Sequence, residues 1–75
     1  MNGHEFLDST VDWEEPALLF SWSEGDRALI AGGPLRFCLI VPATDEASHM
    51  VYEISTKSGR TLDHPHVMRL AQIAY

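Results

Sequence analysis

With one cysteine, Cys38, the chain has no partner for an internal disulfide, and a lone thiol fits a reducing compartment. Basic residues are scarce, 5 against 11 acidic ones, and none falls among residues 1 to 26. The opening residues Met1-Asn2-Gly3-His4-Glu5-Phe6 therefore hold no basic n-region and lead into no long apolar stretch, so a secretory leader is not expected. Apolar runs stay short. The longest, Phe37 to Ala43, is far below the ~20 residues a membrane helix needs, so no membrane association and a cytoplasmic location are the expectations.

The missing cations also shape the field around the chain. Glu5, Asp8, Asp12, Glu14, Glu15, Glu24 and Asp26 give residues 1 to 26 a charge of -7, whereas four acidic and five basic residues leave 27 to 75 at +1. A net charge of -6 repels a nucleic-acid backbone and attracts a basic surface. Direct nucleic-acid binding is not expected. At 75 residues the chain is read as one domain, 1-75, small enough to call for a staple such as a metal or a second subunit.

What is present reads as a sheet with a terminal helix. Residues 1 to 16 form an acidic arm or a short helix, with Phe6, Leu7, Val11 and Trp13 set among carboxylates and Ser9 three residues before Asp12 in a weak imitation of a capping box. Ala17 to Trp22 reads as a strand, Ser23-Glu24-Gly25-Asp26 as a turn and Arg27 to Ala31 as its hairpin partner. Gly32-Gly33-Pro34 is read as the next turn and Leu35 to Val41 as a third strand, with Leu35, Phe37, Leu39 and Val41 on one face and Arg36, Cys38 and Ile40 on the other. Pro42 would stop that ladder, and Ala43 to Ser48 would be a polar loop. Met50 to Ser55 reads as a fourth strand, followed by a turn over Thr56 to Arg60.

The last segment has the clearest helix signal. Asp63 suits an N-cap, Pro65 falls in the first turn, and Val67, Leu70, Ala71 and Ala74 recur at helical spacing. The expected fold is α+β: an antiparallel sheet of three to four strands with a C-terminal amphipathic helix on the face carrying Leu35, Phe37 and Leu39. A small β-barrel with a terminal helix is the alternative.

No motif names a reaction. Asp63-His64-Pro65-His66 holds ligand types a transition metal accepts, yet two histidines two apart at a helix start diverge by about 200°, and no second pair completes a site. Cys38 lies in an apolar run without a cation to activate it beyond Arg36, and no Gly-x-Ser-x-Gly elbow frames a serine. Gly32-Gly33 precedes Pro34 and lacks the Gly-Lys of a phosphate loop. Val51 to Ile54, Ser58-Gly59-Arg60-Thr61 and His64-Pro65 faintly resemble the strand, turn and Thr-x-x-His-Pro stretch of intein and Hint domains, over about 15 of 75 residues. Thr61 follows the glycine too closely, and no N-terminal cysteine nucleophile is present, so no membership is assigned.

No catalytic residue, metal or cofactor is therefore expected. The remaining signal is Asp8, Asp12, Trp13, Glu14 and Glu15, an aromatic anchor among carboxylates that would steer a basic partner. The expected function is a small acidic protein-binding module docking on a basic surface of a larger protein, as an inhibitor, immunity, antitoxin-like or accessory factor. A structural homo-oligomer is the alternative, and a small metal or cysteine enzyme the third. Apolar residues on both sheet faces, Cys38 and Ile40 with Leu19 and Val51 on the second, make a homodimer the expected assembly.

Overall fold

The computed structural model describes residues 11–45 and 50–75. Four strands, β1 (Pro16–Ser23), β2 (Asp26–Pro34), β3 (Val51–Thr56) and β4 (Thr61–Leu62), form one antiparallel sheet in the order β2-β1-β3-β4. Two short helices, α1 (Leu35–Cys38) and α2 (Ile40–Thr44), follow β2, and α3 (His64–Ala74) ends the chain. The fold is α+β with an open sheet. Its edges are the different strands β2 and β4, so the barrel alternative does not hold.

The β1–β2 hairpin closes through Ser23 and Asp26 with Glu24 and Gly25 at its tip, at φ 53° and 85°. Two positive φ values in a two-residue loop match the right-handed strand twist, and glycine takes one of them without strain. Gly32, Gly33 and Pro34 do not turn the chain: they pair with Leu18, Ala17 and Pro16, so β2 runs on through them. A register shift between Leu19 and Phe20 leaves Ile30 as the extra residue of a bulge.

The segment read as a third strand is helical. Leu35, Cys38, Leu39 and Pro42 are buried, at helical spacing i, i+3, i+4 and i+7, while Arg36, Phe37, Ile40 and Val41 face outward. Burial of that stripe overrides the β preference of Phe37, Ile40 and Val41. Pro34 enters α1 with φ -57° and ψ 148°, and Pro42 sits in the first turn of α2, where its missing N–H costs nothing. The Cys38 thiol points at the Ala17 and Gly33 carbonyls, at 3.5 and 3.8 Å, which anchors α1 to the start of β1.

The terminal helix forms as the sequence indicates. Asp63 accepts the His66 N–H at 3.2 Å, and Val67, Leu70 and Ala71 are buried. They do not meet Leu35, Phe37 and Leu39 on a sheet face, because those residues are not in the sheet. The helix packs on β3 and against α2. One face of the sheet, with Ala17, Leu19, Tyr52 and Ile54, is thus covered by α1 and α3, with α2 packed on α3, to form the core with Leu35, Cys38, Leu39, Leu62, Val67, Leu70 and Ala71. Full burial of each large aliphatic side chain there contributes roughly 1.5–3 kcal/mol. No helix of the described residues is long and apolar enough to cross a membrane.

Candidate protein-binding surface

Strand alternation sends every second side chain to the face the helices leave open. The registers place these residues in three rows across the strands. The first is Arg27, Trp22 and Val51, the second Leu29, Phe20 and Glu53, and the third Gly32, Leu18 and Ser55. Leu18, Trp22, Leu29 and Val51 are 44%, 39%, 60% and 50% exposed, so this face presents large apolar groups to solvent among the described residues.

Its polar groups are tied together. The Trp22 indole Nε1–H donates to Glu53 Oε1 at 2.7 Å, and Arg27 Nη1 donates to Glu53 Oε2 at 3.3 Å. The Arg27 guanidinium also lies 4.1 Å over the Phe20 ring. Each carboxylate oxygen of Glu53 thus accepts from a neighbour, which links the aromatic and cationic groups across the three strands. Trp and Arg are the residue types most enriched among interface hot spots. From the sequence alone, Leu19 and Val51 are expected to extend a second apolar face with Cys38 and Ile40. Leu19 and Cys38 are core, Ile40 is an outward residue of α2, and only Val51 belongs to the open face. The Leu18, Phe20, Trp22 alternation against Ala17, Leu19, Ser21 was the available signal. It marks two faces without saying which one is covered.

The acidic segment sits on the other side of the molecule. Asp8 lies outside the described residues. Asp12 accepts the Glu14 N–H at 3.1 Å, forming a local turn, and Glu14 pairs with Arg36 of α1. Glu15 Oε1 accepts the Ser58 N–H at 2.9 Å, and hydrogen bonds from the Ser58 hydroxyl and backbone hold its carboxyl below the usual range. Trp13 packs against the core, its carbonyl accepting the Arg36 N–H at 2.9 Å, beside Ile73, Ala74 and Tyr75. The Tyr75 hydroxyl closes this corner by donating to the Arg36 carbonyl at 2.7 Å. Asp12 and Glu14 remain exposed to solvent.

The titratable groups of the interior serve packing. His64 Nδ1 accepts the Tyr52 N–H, and the Tyr52 hydroxyl donates to Asp45 Oδ2 at 2.8 Å. Burial, then the Asp45 contact, pushes the Tyr52 phenol up to about 12, and burial raises the Cys38 thiol. His66 Nε2 is buried without a hydrogen-bond partner among the described residues, where no group of three His, Cys, Asp or Glu side chains converges. His4 and His49 lie outside them. The chain matches no protein-family model, and no curated protein or solved structure is significantly similar to it.

Proposed function

We propose that this chain is a protein-binding module that docks through the open face of its sheet. The observation that carries this is the exposure of Leu18, Trp22, Leu29 and Val51 around the linked Phe20–Arg27–Glu53 cluster. Contiguous apolar surface of this kind on a small chain marks an interaction site more often than a solvent face. The net charge of -6 disfavours nucleic acid and favours a basic protein, with the exposed Asp12 on the helical side adding to that field and Glu14 already paired with Arg36. A non-enzymatic role fits the use of His64, Tyr52 and Cys38 in holding the fold.

The test is capture from a lysate of the native host on immobilised wild-type chain and on Leu29→Glu. Leu29 is 60% exposed, so its replacement leaves the core untouched. Proteins retained by the wild type and lost with the variant support the reading. An identical set on both rejects this face as the docking surface.

A further inference from the structure

We infer that the first turn of α3 is an acid-opened clasp, seated on the sheet only while His64 and His66 are neutral. His64 holds through Nδ1, which accepts the Tyr52 N–H at 3.0 Å. An imidazole nitrogen that carries a proton has no lone pair to offer, so a charged His64 would set one N–H against another. His66 is kept neutral for a different reason. Its Nε2 is buried without a hydrogen-bond partner among the described residues, and the imidazolium form would place a donor and a share of positive charge there with no acceptor. Both residues also stand in the first turn of an 11-residue helix, where the unpaired N–H groups and the helix dipole disfavour a cation.

The surrounding groups are committed elsewhere. On the helix itself, the Asp63 carboxylate accepts the His66 N–H at 3.2 Å, and Arg69 is exposed further along. From β3, Tyr52 stacks on the His64 ring, while Glu53 belongs to the open face and accepts from Trp22 and Arg27. At the end of α2, Asp45 accepts the Tyr52 hydroxyl at 2.8 Å. β4 supplies only Thr61 and Leu62. Among the described residues, which leave out Glu46 and His49, no carboxylate pairs with either imidazole. The unfolded chain hydrates both imidazoliums, so it binds protons that the fold refuses. Stability is therefore present above the range in which imidazoles ordinarily titrate and is lost as pH falls through it. The strand pairs β1–β2 and β1–β3 involve neither histidine, so the opening begins where α3 leaves the sheet.

Urea unfolding of the full chain at about pH 7.5 and about pH 5.5 tests this, because imidazoles change charge in that interval and carboxylates largely do not. The expected result is an unfolding equilibrium constant at least about tenfold larger at the lower pH. His64→Asn and His66→Gln should each remove part of that rise, and the double variant most of it, since Asn offers the Tyr52 N–H a carbonyl that does not titrate. Nitrogen-resolved NMR of the wild type gives a second readout. His64 should carry its proton on Nε2 at neutral pH, and the Tyr52 amide should lose exchange protection on acidification before the amides of β1 do. A wild-type stability that is flat across the interval overturns the clasp, as does a pH dependence that survives in the double variant. So does a His64 ring that takes up its second proton while the Tyr52 amide stays protected, a result that needs no variant to fold.

Discussion

His64 Nδ1 accepts the backbone N–H of Tyr52 at 3.0 Å, and the two rings stack with centroids 6.0 Å apart. β4 pairs with β3 only at Ile54 and Ser55, so the ladder has ended by the time the chain reaches Tyr52. The first residue of α3 takes over as acceptor and joins helix to sheet. His64→Ala should cost about 1–2 kcal/mol, since it strands a part-buried donor. Urea unfolding measures it, and an unchanged midpoint would show the bond to be unimportant.

Alkali should find a second weak point at Tyr52. Its folded-state pKa, about 12, lies above the ordinary 10, so the fold prefers the neutral phenol. The stabilisation is fully present below pH 10 and is lost as pH rises toward 12, at up to about 1.4 kcal/mol per pH unit. The raised Cys38 thiol acts in the same direction. Stability curves for wild type and Tyr52→Phe should converge across that interval, and parallel curves would remove Tyr52 as the cause.

The two tryptophans should respond in opposite ways. Trp13 packs on the core and Trp22 stands on the open face. Trp13→Ala should destabilise by about 2 kcal/mol or more, and Trp22→Ala by less than about 1 kcal/mol while weakening protein binding. Calorimetry on both variants checks this. Equal losses of stability would place Trp22 among the fold's supports.

What could be read in advance follows from how local each signal is. Asp63, Pro65 and the Val67, Leu70, Ala71 spacing act within one helix, and α3 forms as they indicate. Glu24 and Gly25 likewise make their turn from their own backbone preferences. Leu35 to Val41 fits period two and period 3.6 alike, and only the core decides between them by burying Leu35, Cys38, Leu39 and Pro42. Gly32, Gly33 and Pro34 resemble a turn until Leu18, Ala17 and Pro16 are found opposite them. The open face was hidden for the same reason: alternation along β1 is visible, but which side the helices cover depends on contacts far apart in sequence.

The helical state of Leu35 to Thr44 also has a bearing on the fate of the unfolded chain. Phe37-Cys38-Leu39-Ile40-Val41 carries no charge, proline or glycine and is rich in strand-forming side chains, the composition from which cross-β fibrils grow. Folding withholds it by coiling it over the sheet, with Arg36 before it and Pro42 after it as gatekeepers. Whatever loosens α1 and α2 exposes a segment of this composition, so aggregation is the expected competitor of refolding when the chain is heated.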